Sequence, residues 1–190
     1  YNPISTAWVE LQGYSNNALT LSFIKTGLTI STSYQVRYRA RNLFGWSASY
    51  SDVETISTIT EPAMIDASTA TVAIVGSNVQ INWNIPVSNG SPLLKYEVVF
   101  ASTSAASPTY VEESVNCDGA STAVLTNNEC TIPMSQFWAI TTASPINLVA
   151  GDAIKLKLRA HNVIGGGAFT AVITSGILVQ TPPATPSLSP

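Results

Sequence analysis

The sequence predicts an all-β chain of tandem antiparallel β-sandwiches, and three observations predict it. First, one strand-like segment occurs twice: Tyr34-Gln35-Val36-Arg37-Tyr38-Arg39-Ala40-Arg41-Asn42, closed by Gly45, returns as Ile154-Lys155-Leu156-Lys157-Leu158-Arg159-Ala160-His161-Asn162, closed by Gly165 (154 − 34 = 120 and 165 − 45 = 120). Second, both copies alternate apolar and polar residues in the same phase, which is the period of a strand with one face in a core. Third, hydrophobic residues are 45% of the 190 and charged residues only 10%, with Ser and Thr about a quarter of the chain beside many Val and Ile. This composition suits a packed β protein of a secreted or surface type and leaves little for a long disordered tail.

The elements follow in order. Tyr34, Val36, Tyr38 and Ala40 form the inward face of the first repeated strand, and Gln35, Arg37, Arg39 and Arg41 its outward face. Thr71 to Val75 is a short apolar run of the kind a buried strand provides. Strands are expected near Asn78 to Trp83, Leu94 to Ser102, Tyr110 to Asn116 and Cys130 to Ile132. After the second copy a further strand is expected from Ala168 to Leu178. Turn-rich stretches such as Pro86-Val87-Ser88-Asn89-Gly90-Ser91-Pro92 separate them. No apolar run approaches the roughly 20 residues of a membrane-spanning helix.

On these residues the chain resembles the fibronectin type III family, an immunoglobulin-like β-sandwich. The carriers are Trp83 three residues before Pro86, Asn89-Gly90-Ser91-Pro92, the inward set Tyr96, Val98 and Phe100, and Leu158 to Gly165 as penultimate strand and turn. In the first copy Tyr34-x-Val36-Arg37-x-Arg39-Ala40-x-Asn42-x-x-Gly45 places Tyr34 at the position resembling the tyrosine corner; Ile154, without a hydroxyl, holds that place in the second. The resemblance implies three parts: residues 1–60 as the C-terminal part of one domain, 61–180 as a complete domain, and 181–190 as a Pro-rich linker toward a further one. Counting strands this way puts Tyr1 two-fifths to half of the way through its domain, so the first sandwich is expected to be incomplete at its N-terminus.

Cys117 and Cys130 are the only cysteines, with a polar, Asn-rich stretch between them. A bridge would close a loop of about 14 residues for on the order of 3 kcal/mol; two buried free thiols are the alternative. Zinc would need more ligands, since His161 is the only histidine. Cys117-Asp118-Gly119, Cys130-Thr131-Ile132-Pro133-Met134, Ser144-Pro145, Leu148 and Gly151-Asp152 together are similar to a disulfide-bearing version of the module found in large repeat-containing surface proteins of ciliated protists. That likeness implies a long surface or filament-like parent.

Six of the eight cations lie on the two repeated segments, three in each. Arg37, Arg39 and Arg41, followed by Trp46 after the Gly45 turn, resemble half of the arginine and tryptophan ladder of cytokine-receptor ectodomains. The plainer reading is a solvated cationic strand paired across the sheet with Asp52 and Glu54, and in the second copy with Glu97, Glu112 and Glu113.

Other chemistry is sparse. Gly165-Gly166-Gly167 has no following helix or Lys-Ser/Thr for a phosphate cradle and reads as a strand turn. Glu112 and Glu113 are adjacent and would point to opposite faces, so they cannot flank one glycosidic bond. The single histidine comes with no nucleophile elbow. The formal net charge of −3 argues against a nucleic-acid surface. The residues thus give no catalytic, cofactor or metal site. Asn89-Gly90-Ser91 is the only N-glycosylation sequon, weakened by Pro92, and Thr181, Thr185 and Ser187 are candidates for O-linked sugars on a spacer.

The expected function is structural or adhesive: an extracellular or cell-surface segment of a longer tandem-repeat rod or filament, whose partners are copies of itself or neighbouring repeats, with glycans as further candidates. Two other readings stay open. One is a receptor ectodomain that binds a protein ligand near Trp46; the other is an accessory array on a secreted carbohydrate-active enzyme.

Overall fold

The computed structural model of the protein describes residues 7–13, 22–138 and 146–183. Its internal contacts define two compact units: one runs up to Thr60 and takes in Asn89–Ser91, and the other comprises Glu61–Ser88 and the chain from Pro92 onward. The described residues are all-β, with one short α-helix and two single-turn 3₁₀ segments. None of the helices is long and apolar enough to cross a membrane.

In the first unit, strand β1 (Ser33–Val36) is followed along the chain by β2 (Arg41–Asn42), which turns back through β3 (Gly45–Trp46), and β4 (Glu54–Ser57) pairs antiparallel with β1. Between these pieces the pairing continues, since Ser47 N donates to Ala40 O and Ser51 N to Tyr38 O, both at 2.8 Å. The expected core face is only partly realised. Tyr34 is buried, but Tyr38 is 77% exposed. Among the described residues of this unit no second sheet lies over the Val36–Tyr38 side, so alternation alone does not bury it.

The second unit is a sandwich of two antiparallel sheets. One holds β5 (Thr71–Val75), β6 (Asn78–Asn82) and β9 (Glu129–Pro133) in the order β5-β6-β9. The other is ordered β11-β10-β7-β8, with β7 (Lys95–Ala101), β8 (Tyr110–Glu112), β10 (Ala153–His161) and β11 (Ile173–Leu178). Alternation places Ile154, Leu156, Leu158 and Ala160 of β10 and Tyr96, Val98 and Phe100 of β7 against Val79 and Ile81 of β6 and Cys130 and Ile132 of β9. All are buried, together with Trp83 and Phe137. Trp83 meets Tyr96 edge-on at 5.1 Å, and Phe100 meets Phe137 at 5.2 Å.

Several elements depart from expectation. Thr71–Val75 forms a strand, but at a sheet edge, with Ile74 and Val75 exposed rather than buried. The strand expected to reach Asn116 stops at Glu112, because Glu113 turns inward. Its carboxylate, on a residue 3% exposed, accepts the backbone N–H groups of Val115, Asn116 and Cys117 at 3.0–3.3 Å. The strand expected from Ala168 begins at Ile173, since Thr170 first folds back on Leu158: Thr170 N donates to Leu158 O, and its hydroxyl accepts from Leu158 N.

The stretch between the cysteines is also more ordered than its Asn content suggests. It carries helix α1 (Thr122–Asn127), started by the Ser121 hydroxyl accepting from Val124 N and ended by Asn128 in the left-handed region. Asn128 then accepts from the Tyr96 hydroxyl at 2.7 Å, which ties the helix end to the core. Close by, Gly119 packs against the β7 backbone so tightly that a Cβ there would lie 1.8 Å from Tyr96 O. Gly119→Ala is therefore expected to destabilise the second unit by at least about 1–3 kcal/mol, the usual range for forced overpacking. An unchanged urea midpoint would contradict the close approach.

Candidate functional site: the cation and aromatic stripe

The outward face of β1 and the residues after it carries Arg37, Arg39 and Arg41, and the structure lays aromatic rings between them. Arg37 sits 4.0 Å over the Trp8 ring and 4.1 Å over Tyr50. Arg39 lies 4.7 Å from Trp46 and 4.8 Å from Tyr50, and Arg41 lies 5.6 Å from Trp46. The order along the face is thus Trp8, Arg37, Tyr50, Arg39, Trp46, Arg41. Cation–π contacts at these distances contribute about 0.5–1 kcal/mol each when exposed. Strand alternation puts the three arginines on one side, and the Gly45 turn sends Trp46 and Tyr50 back along it.

The charge-paired account of this stripe is replaced by stacking. Among the described residues neither Asp52 nor Glu54 makes an ion pair, and Arg37 and Arg39 have no carboxylate partner. Trp8 was invisible to the repeat at a spacing of 120. Its signal is a different echo, Trp8-Val9-Glu10 against Tyr110-Val111-Glu112, at 110 − 8 = 102.

The second unit has its own version. Lys157 sits 4.2 Å over Tyr110, and Arg159 sits 4.2 Å over Phe169. Phe169 takes the role of Tyr50 although it lies 119 residues on. The residue after each one, Ser51 or Thr170, offers its hydroxyl to the matching amide, Tyr38 N at 3.0 Å or Leu158 N at 3.1 Å. Here an acid does enter: Glu97 Oε2 accepts from Arg159 at 2.7 Å and contacts His161 Nε2 at 2.8 Å. Of the other expected acids, Glu112 pairs with Lys95 at 3.1 Å, and Glu113 serves backbone amides instead of cations.

The three glycines after this strand are packing residues. A Cβ on Gly166 would stand 2.6 Å from the His161 ring, and one on Gly167 would stand 2.3 Å from Pro62 O. The place held by Trp46 in the first unit is therefore occupied by the His161 ring in the second.

Burial pushes the Glu97 carboxyl up, but its hydrogen bonds and the charges of Arg159 and His161 outweigh that and hold it below the ordinary glutamate value. A carboxyl depressed in the folded state contributes stability above its unfolded value, about 4.3, and loses it as the pH falls through the folded one. Glu97→Gln is accordingly expected to lower the urea midpoint at pH 7 and to do so much less at pH 3. Equal losses at both would contradict the assignment.

The corner hydrogen bond is present in the first unit, where Thr29 N donates to the Tyr34 hydroxyl at 2.8 Å. In the second, the equivalent amide, Val149 N (29 + 120 = 149), donates to Asp152 Oδ2 at 2.9 Å. Asp152 thus stands in for the hydroxyl that Ile154 lacks. Tyr34→Phe and Asp152→Ala should each cost about 1 kcal/mol by denaturation, as loss of one such bond does. No change in either variant would mean the amide is served otherwise.

The remaining candidates fall as follows. Cys117 and Cys130 form a disulfide, with Cα atoms 5.2 Å apart, and both are buried. Asn89 sits half-buried at φ 55°, followed by Gly90 at φ 88°, the two positive values of a tight turn. Thr181 is exposed, whereas Thr185 and Ser187 lie outside the described residues, as do Ser144 and Pro145. Among the described residues no three His, Cys, Asp or Glu side chains converge as metal ligands do.

No protein-family model matches the chain, and no curated protein matches it in sequence. Among solved structures it is similar to the FN1-FN3 domains of chicken CNTN1, with 16% identity and a TM-score of 0.39 over 83% of this chain and 46% of that one. It is also similar to domains A168-A170 from titin, with 18% identity and a TM-score of 0.36 over 76% and 41%. The chain spans less than half the length of either structure.

Proposed function

We propose that the chain is a stretch of a tandem array of fibronectin type III-like sandwiches in a structural and adhesive protein of the cell surface or extracellular space. The observation that carries the reading is a shared building plan. Asn42 and Asn162 each accept, through Oδ1, the amide two residues on, Phe44 N and Ile164 N, both at 2.9 Å. Ala40 O and Ala160 O each receive the amide seven residues on, from Ser47 and Gly167. In this reading residues 1–60 are the later part of one module, 61–180 a whole one, and 181–190 a spacer.

Both turns also lift a pair of apolar side chains into solvent: Leu43 and Phe44 are 103% and 99% exposed, and Val163 and Ile164 are 67% and 50% exposed. An apolar pair repeated at the same turn favours protein partners, copies of the array among them. The disulfide favours an oxidising compartment. The test is microscopy of the native protein together with surface labelling of intact cells. A beaded rod accessible from outside is the expected result. A compact particle, or labelling only after permeabilisation, would refute the reading.

A further inference from the structure

In the second unit the chain passes from β7 and Ser102 to β8 through Thr103-Ser104-Ala105-Ala106-Ser107-Pro108-Thr109, whereas a hairpin ordinarily needs only about two to five residues for its loop. The excess length does no packing: Thr103 to Ser107 are all exposed, and nothing from 103 to 109 is buried. Its base is nonetheless fixed. Ser102 N donates to Thr109 O at 2.9 Å, and the Ser102 and Thr109 hydroxyls share a hydrogen bond of 2.6 Å. The hydroxyls of Thr103, Ser104 and Ser107, by contrast, have no hydrogen-bond partner among the described residues. Elsewhere in the unit Ser68, Thr69, Ser121, Thr170 and Ser175 all commit theirs to hydrogen bonds. Apart from its hydroxyl residues the loop holds only alanine and proline, and none of it is charged.

We propose that this loop is an O-glycosylation site, with Thr103, Ser104 and Ser107 as acceptors and a nucleotide-activated sugar as the donor. The hydroxyl oxygen attacks the anomeric carbon of the sugar and forms the glycosidic C–O bond as the bond from that carbon to the nucleoside diphosphate breaks. The hydroxyl proton passes to a base of the transferase. Composition and geometry point the same way. Ser and Thr mixed with Pro is the composition of O-glycosylated segments, and the small neighbours leave each hydroxyl open to an enzyme from outside. Pro108 disfavours helical backbone at Ser107. The clamp between Ser102 and Thr109 lets the tip take on a bulky group while the β7–β8 register stays fixed. Phosphorylation of the same hydroxyls is disfavoured, because a phosphate would find no Lys or Arg within the loop to pair with. The site is separate from Thr181, Thr185 and Ser187 in the tail. The inference rests on the extracellular part of the reading above, since donor and transferase belong to the secretory route.

Glu97 and Glu112 bracket the loop, so cleavage after glutamate releases Val98–Glu112 from the native protein as one peptide. Its only aliphatic hydroxyls are those of Ser102, Thr103, Ser104, Ser107 and Thr109. Mass spectrometry should find the peptide heavier by whole hexose or N-acetylhexosamine residues, and electron-driven fragmentation should place them on Thr103, Ser104 or Ser107. A Thr103→Val/Ser104→Ala/Ser107→Ala variant made in the same cells should lose the whole increment. It should also unfold at the urea midpoint of the enzymatically deglycosylated parent, because the three hydroxyls hold nothing in place. A peptide of unmodified mass, a phosphate in place of sugar, or sugar confined to Ser102 or Thr109 would each overturn the proposal. The state of the cysteines separates the two levels. If the peptide is bare while Cys117 and Cys130 are bridged and the protein labels on intact cells, only the glycan proposal fails. If the peptide is bare and both thiols are free in the native protein, the extracellular reading fails with it.

Discussion

Phe100→Ala is expected to lower the stability of the second unit by about 3–5 kcal/mol, the range for deleting a fully buried aromatic side chain. Phe100 is 0% exposed, lies on the central strand β7, and meets the equally buried Phe137 edge-to-face at 5.2 Å, with planes 77° apart. Removal would leave a void between two sheets pinned on either side by ladder hydrogen bonds, so little collapse is available to fill it. The loss also includes the aromatic pair, worth about 0.5–1.5 kcal/mol beyond area. Urea denaturation followed by near-ultraviolet circular dichroism reads it out. Ile85→Ala, at a side chain 65% exposed in the same unit, is the control and should move the midpoint by no more than about 0.5 kcal/mol. A Phe100→Ala loss as small as the control would mean that the two sheets are not packed as described.

Breaking the Cys117–Cys130 bridge is the second large effect, about 3 kcal/mol from the unfolded chain regaining a loop with a sequence separation of 13. The bridge fastens the segment that bears α1 to β9, near the Glu113 carboxylate that gathers three backbone amides and beside Gly119 against the β7 backbone. Reduction should therefore loosen the 113–128 excursion first. The Cys117→Ser/Cys130→Ser variant should show a lower urea midpoint and faster amide exchange across that stretch. Dithiothreitol should destabilise the unaltered protein to a similar extent and leave the variant unaffected. A midpoint insensitive to dithiothreitol would rule out a stabilising bridge.

Strict alternation made part of the fold legible from sequence. β6, β7, β9 and β10 lie within a residue or two of expectation, because each carries apolar residues at every second position that face the core, and all but β9 have a paired strand on both sides. Failures came where a side chain overrides the backbone pattern. Glu113 ends β8 early by capping the amides that follow, and Thr170 delays β11 by holding Leu158. Helix α1 had its cap residues, Ser121 and Asn128, in plain view, but six residues give too short a period to register. Thr71–Val75 is apolar yet exposed, since an edge strand needs burial on neither flank.

The candidate site was half legible. Three arginines and Trp46 are local in sequence, whereas Trp8 reaches them only through the fold, and Phe169 hides one residue out of phase. Ion pairing looked plausible for the first stripe because acids are nearby in sequence, but Asp52 and Glu54 do not meet the guanidinium groups.

The constancy of the 120-residue echo conceals three compensating steps. Val36 pairs with Glu54 while Leu156 pairs with Ile173, an offset of 119; Ser33 pairs with Ser57 while Ala153 pairs with Leu178, an offset of 121; and 120 returns only at Pro62 and Pro182. The irregularity that adds residues lies in β11, where Gly176 has φ 72°. For anyone aligning the two repeated segments or splicing one onto another, the consequence is a matter of phase. Joined at the Gly45 or Gly165 turn, the two units share a frame. Joined by counting 120 inside the final strand, every side chain beyond the seam would be presented to the opposite face.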